Sequence, residues 1–176
     1  SGCKEMMLQA DKCRLRAVEP ADVDSMYIWE NDPDVWRVSG TTEPFSRERL
    51  QRFVEEQRFD IYVTRQLRLI IEAPDGRSVG ALDIFDFDPQ MRRFGIGILI
   101  YDRSDRRQGY AASAVEAVKR YGRDTLGVHQ IWCSASEDNR ASLALFGKAG
   151  FEICGRRRDW TLTPEGYRDD IMMQWI

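Results

Sequence analysis

The chain has 176 residues, 43% of them apolar and 31% charged, and a formal net charge of −3. That length suits one domain, since domains hold ~100–200 residues, and the apolar content can fill a sizeable core. The weak negative charge supplies no global basic field for a nucleic-acid partner, and no apolar run has the length of a membrane span or the form of a secretory leader.

Cys13–Val18 alternates and predicts a first strand. Pro20-Ala21-Asp22 predicts a helix start, with Met26, Ile28 and Trp29 as its apolar stripe and a stop near Asn31-Asp32-Pro33. Ser46 reads as the N-cap of a helix over 47–59, with Leu50, Phe53 and Val54 on one face. Strands are expected over 67–73 and 79–87, joined by the hairpin signal Pro74-Asp75-Gly76-Arg77. A long central strand is expected over 92–101. A helix over 109–126 should bury Ala112, Val115, Ala117, Val118 and Tyr121. A strand over 130–135 and a helix over 138–148, closed by Gly150, come next. Strands near 151–154, 159–162 and 169–175 complete the pattern, the last two paired through Thr163-Pro164-Glu165-Gly166.

The four cysteines, Cys3, Cys13, Cys133 and Cys154, have no CxxC spacing and no histidine set beside them, so no metal site is expected. Cys133 and Cys154 fall in strand-like stretches and read as small core residues. Reduced thiols suit a cytoplasmic protein. Ser1-Gly2 reads as a cloning scar, residues 1–10 as an N-terminal extension, and residues 11–176 as the domain.

The most informative stretch runs from Phe94 to Phe151. A buried-looking strand ends in a basic turn, Arg106-Arg107-Gln108-Gly109-Tyr110-Ala111, and an alanine-rich helix follows at once. The first N–H groups of a helix lack intrahelical partners and the dipole there favours anions, so this order makes a phosphate site. It is not a P-loop, because GxxxxGK[S/T] is missing. Nor is it a dinucleotide fingerprint, because Gly95 and Gly97 lie inside a strand with no third glycine in place.

Arg106-x-x-Gly109-x-Ala111 resembles the pyrophosphate loop of the GNAT (Gcn5-related) N-acetyltransferase superfamily. Asn139-Arg140-Ala141-Ser142, followed by Lys148-Ala149-Gly150-Phe151, is similar to the branch containing ribosomal-protein N-terminal acetyltransferases and spermidine acetyltransferases. The resemblance implies an α/β (α+β) GNAT fold. That fold has a central mixed, mostly antiparallel twisted sheet of about seven strands, about four flanking helices, and a V-shaped splay between two parallel central strands. It implies acetyl-CoA as cosubstrate, with Arg106, Arg107, Gln108, Gly109, Tyr110 and Ala111 at its phosphates and Asn139 at its pantetheine arm. Family members often carry glycine where Arg107 stands.

Acetyl transfer needs a neutral amine, a donor for the oxyanion, and a proton or charge stabilisation for the departing thiolate. The resemblance assigns the oxyanion donor to a backbone N–H near Leu99 or Ile100. Many relatives supply the thiolate proton from a tyrosine where this chain has Phe146. The ribosomal-protein branch uses the serine here numbered Ser142, which on a plainer reading merely caps or packs the helix. For the general base, Asp159 aligns roughly with an acid of that branch, Asp83 and Asp86 are further carboxylates, and a base acting through water stays open. His129, the sole histidine, reads as structural or exposed. Glu30, Asp32, Asp34 and Glu43 outline an acidic mouth suited to a cationic amine, or simply a solvated surface. The acceptor is thus a small molecule or a protein N-terminus, and a homo-oligomer is compatible with the pattern. The alternative function is a catalytically weak acyl-CoA-binding or regulatory module.

Overall fold

The computed structural model describes residues 8–176; Ser1-Gly2 and Cys3 lie outside the described residues. Seven strands form one sheet: β1 (Arg14–Ala17), β2 (Leu67–Glu72), β3 (Ser78–Asp88), β4 (Arg93–Ile100), β5 (Gln130–Ser136), β6 (Glu152–Thr163) and β7 (Gly166–Trp175). Their order across the sheet is β1-β2-β3-β4-β5-β7-β6. Neighbours are antiparallel except β4 and β5, which run parallel and pair only over Arg93–Gly95 against Gln130–Trp132. Beyond Gly95 the two strands share no register, so their C-terminal halves diverge.

The helices are α1 (Val23–Glu30), α2 (Pro33–Ser39), α3 (Arg47–Glu56), α4 (Ile61–Thr64), α5 (Tyr110–Asp124) and α6 (Arg140–Lys148). Two of them, α2 and α4, were not expected. Both are short, and each starts on an aspartate cap, Asp32 and Asp60. Local capping, not periodicity, specifies such pieces. The expected strands at 151–154 and 159–162 are one long strand, β6, irregular against β7 at Ile153/Gly155 and Arg157/Thr161. The bulges interrupt the alternation and so hid its continuity.

Each face of the sheet has its own core. On one face α5 and α6 bring Ala114, Val115, Ala117, Val118 and Phe146 against Phe94, Ile96 and Ile131. Helix α5 approaches so closely that a Cβ at Gly122 would lie 2.8 Å from the Phe94 ring. On the other face α1 and α3 set Met26, Leu50 and Val54 over Ile70 and Ala81. Of the expected core positions, Ala112 points to solvent and Tyr121 is half-buried. Cys133 is buried as expected, and burial pushes its thiol up to about 12. Cys154 is exposed instead, because it lies on edge strand β6. Before residue 11 the chain already packs: Ala10 is buried and Leu8 O accepts from Leu15 N–H. Among the described residues no helix is long and apolar enough to cross a membrane.

Candidate active site

The divergence of β4 and β5 leaves backbone groups facing a gap. Tyr101 N–H donates to Val79 O at 3.1 Å, which fixes the phase of the β3–β4 ladder. In an antiparallel pair alternate residues bond the same neighbour. Leu99 therefore turns its N–H towards β3, while Ile98 and Ile100 turn theirs towards the gap. Of the two oxyanion donors expected from sequence, this register leaves Ile100 and removes Leu99. The Ile100 carbonyl is held by Arg106, whose Nε donates to it at 3.1 Å.

The basic turn follows at once. Asp102 caps its first bend by accepting from Ser104 N–H and Oγ–H, and these bonds hold its carboxyl below the usual range. Asp105 is buried against Arg77 at 3.1 Å, which ties the turn to the β2–β3 hairpin. Arg107 and Gly109 both adopt left-handed backbone, with φ of 62° and 82°. Turns of this hand expose N–H groups to anions. Arg107 thus keeps a glycine-like conformation without being glycine, at a cost of about 1–2 kcal/mol. Gly109 is the N-cap of α5, and Tyr110 and Ala111 open the helix. Arg106, Arg107 and Gln108 are exposed at this end.

Sequence reading missed Lys12 here. Its N–H donates to Ser113 Oγ at 3.0 Å, and its side chain lies over the loop, 2.9 Å from where a Gly109 Cβ would stand. Only the tertiary contact between the β1 approach and α5 brings this ammonium to the turn.

Across the gap, Asn139 is the N-cap of α6 and its side-chain oxygen accepts from Ser142 N–H at 3.2 Å. That leaves the Asn139 amide N–H groups as its remaining donors. Ser142 is half-buried one turn into the helix. Phe146 is buried against Phe151, ring centroids 5.3 Å apart, so it serves the core.

The carboxylates separate clearly. Asp83 is bound by Arg68 through Nε and Nη2 at 2.7 and 2.8 Å, and Arg68 Nη1 also reaches Glu30 at 2.9 Å. Glu30 is buried, so it belongs to this network and not to an acidic mouth. Glu43 is exposed and pairs with Arg49 at 3.5 Å. Asp86 sits at a bulge of β3, φ 50°, at the end where β4 and β5 are still paired and away from the gap. Asp159 is exposed in the β6 bulge, φ 49°, and its N–H donates to Asp169 Oδ1 at 2.9 Å. His129 is exposed. The basic run at 156–158 is partly neutralised: Arg156 pairs with Glu137 and Asp169, and Arg157 with Asp170.

A cavity of about 390 Å³ opens beside the end of β4, lined by Trp29, Asp32, Asp34, Tyr101, Asp102 and Arg106 among others. Trp29 and Tyr101 stack at 4.2 Å, and the Tyr101 hydroxyl donates to Glu30 at 3.4 Å. Burial, with the Glu30 carboxylate adding to it, pushes the Tyr101 hydroxyl well above its ordinary value, so it stays protonated. Among the described residues no group of three His, Cys, Asp or Glu side chains could hold a metal ion.

The geometry agrees with the comparisons. A family model described as an acetyltransferase (GNAT) domain matches residues 12–152. The uncharacterized N-acetyltransferase YoaA of Bacillus subtilis (strain 168) is 26% identical over 155 residues, covering 88% of this chain and 87% of that protein. The spermidine N-acetyltransferase from Vibrio cholerae, solved in complex with CoA and spermine, superposes with a TM-score of 0.83 at 18% identity, over 93% of this chain and 95% of that one. A dodecameric structure of the Vibrio cholerae enzyme in an intermediate state gives a TM-score of 0.77 at 17% identity, over 94% of each chain.

Proposed function

Because the chain belongs to the acetyltransferase (GNAT) domain family and is by that membership an acetyl-CoA-dependent N-acetyltransferase, we propose that it acetylates a primary amine by direct attack in a ternary complex. The acceptor is a small cationic amine or a protein N-terminus. The observation that carries this reading is the β4–β5 gap, with inward Ile98 and Ile100 N–H groups and the Arg106–Ala111 turn directly above it. The pantetheine arm adds to β4 like a short strand, through backbone groups that pairing would otherwise occupy. The phosphates meet the α5 N-terminus, the turn, Arg106, Arg107 and Lys12. Asn139 offers its amide N–H groups to the arm.

In the transfer itself the amine nitrogen attacks the thioester carbonyl carbon. The N–C bond forms, and the oxyanion is held by the Ile100 N–H. The C–S bond then breaks, the sulfur takes a proton from Ser142, and the ammonium nitrogen loses its own proton to water. The serine hydroxyl is restored by that solvent proton. In this reading Asp159, exposed in the β6 bulge, is the carboxylate that relays this same ammonium proton through water, so that solvent can return one to the serine.

Edge strand β6 leaves Ile153, Trp160 and Leu162 exposed, and Tyr167 of β7 is exposed opposite Leu162. Such an edge invites pairing, and it supports self-association into a homo-oligomer. Light scattering on the purified protein checks that.

Thiol release at saturating acetyl-CoA, across spermidine, aminoglycosides, peptides with free N-termini and simple primary amines, tests the function. Turnover of at least one amine is expected, insensitive to EDTA. Tight acetyl-CoA binding with no turnover of any amine would reduce the chain to an acyl-CoA-binding module.

A further inference from the structure

Strand β4 carries two glycines, Gly95 and Gly97, on the face opposite α5 and α6. Alternation sends Phe94 and Ile96 into the α5–α6 core and leaves Gly95, Gly97 and Leu99 on the other face. The registers set Phe85 of β3 and Trp132 of β5 on either side of Gly95. Their rings meet edge to face, 5.4 Å between centroids. Both lean over Gly95, where a Cβ would stand 2.5 Å from Phe85 and 2.8 Å from Trp132.

Gly97 is different. A Cβ there would meet only the Phe85 ring, at 3.7 Å, an ordinary contact. The result is a trough with bare backbone as its floor and an aromatic wall. Phe85, Gly97 and Trp132 are half-buried, so the trough is reachable from solvent.

Its place relative to the chemistry is set by the strand. Gly97 precedes Ile98 by one residue and Ile100 by three, roughly 3–10 Å along the chain at about 3.3 Å per residue. Helices α5 and α6, the latter carrying Ser142, pack on the opposite face, so the trough lies on the face left open to an amine approaching the same carbonyl. The carboxylate opposite Gly97 is Asp83, and both its oxygens are occupied by Arg68. The second carboxylate on Arg68, Glu30, is buried, so the trough presents a polycation with no free carboxylate at its surface.

We propose that the Gly97 trough receives an aromatic or branched apolar group carried beside the acceptor's primary amine, so that the preferred acceptor is an apolar-flanked amine and not a linear polyamine. The inference rests on the acetyl-transfer reading for where the amine sits.

Calorimetric titration of 2-phenylethylamine, ethylamine and spermidine into the protein saturated with coenzyme A reads the trough without turnover. The wild-type protein should bind 2-phenylethylamine about tenfold or more tighter than ethylamine, the low end of what a hydrophobic pocket discriminates. Gly97→Val should lower that ratio about tenfold and Gly97→Ala by less, each with a cooperative melt. Where the valine variant does not fold, the alanine variant decides. Equal affinity for 2-phenylethylamine and ethylamine, tighter binding of spermidine, or a ratio untouched by filling Gly97 overturns the proposal. Preserved binding preference without acetylation of any amine would strike the acetyl-transfer reading while supporting the trough.

Discussion

The two sides of the β4–β5 gap are built in different ways. The side proposed for the coenzyme is made mostly of backbone: inward N–H groups of Ile98 and Ile100, left-handed Arg107 and Gly109, and the open end of α5. Apart from Lys12, Asn139 and Ser142, its determinants sit within one stretch of chain. The side proposed for the acceptor is made of side chains from distant segments, with Trp29 stacked on Tyr101, Glu30 and Asp83 joined through Arg68, and Phe85 against Trp132. A backbone site tolerates most side-chain changes and is announced by a short motif. A side-chain site changes with single substitutions, which suits the half that chooses the substrate.

The most damaging change on the proposed coenzyme side is to its one proposed acid. Ser142→Ala should lower kcat by roughly 10²–10⁴-fold, the scale of general acid–base groups. Acetyl-CoA affinity should move far less, since the hydroxyl acts as charge develops on sulfur. Near wild-type kcat in single-turnover kinetics would return the thiolate to solvent and make even this side a backbone-only device.

Arg68→Leu tests the opposite half. It strands the Glu30 and Asp83 carboxylates, and removing one partner of a buried ion network costs about 3–5 kcal/mol. Urea unfolding should show that loss, while acetyl-CoA affinity of the folded fraction is retained. A loss of coenzyme affinity without loss of stability would mean the halves are not separable.

Gly109→Val should weaken acetyl-CoA binding about tenfold or more. The free valine turn relaxes out of the left-handed backbone, which costs an L-residue about 1–2 kcal/mol, and binding must restore it, with each 1.4 kcal/mol about a decade in affinity. The Lys12 side chain over the loop would also have to move. Unchanged affinity by calorimetry would remove the turn from the site.

The smallest expected effect is at Arg107→Gly. Relief of the left-handed strain should raise stability by about 1 kcal/mol, read as a higher Tm. Coenzyme affinity should fall less than in the Gly109 variant, because only a guanidinium is lost while the backbone turn is kept. A fall in Tm would show that the Arg107 side chain stabilises the turn more than its backbone strains it.

Much of the fold was legible because its signals are local. The hairpin at Pro74–Arg77, the Ser46 cap and the Gly150 stop each act through neighbouring residues, and each stands where the sequence puts it. The short helices α2 and α4 and the unbroken β6 were not legible, because a single capping aspartate or a bulge carries little periodic signal. Glu30 shows the same limit in the site. Its position among Asp32 and Asp34 suggests an acidic surface, yet it is buried on Arg68, 38 residues away.

By itself the sequence determined the strand–turn–helix order of the candidate anion site and the Asn139–Ser142 cap across from it. Both follow from backbone hydrogen bonding over a few consecutive residues. Only the tertiary structure decided which β4 amides face the gap, that Lys12 lies over the turn before α5, and that Asp83 is held by Arg68 beside an open glycine. Those outcomes depend on strand register and on contacts between segments far apart in the chain, and register is fixed by the packing of both sheet faces at once.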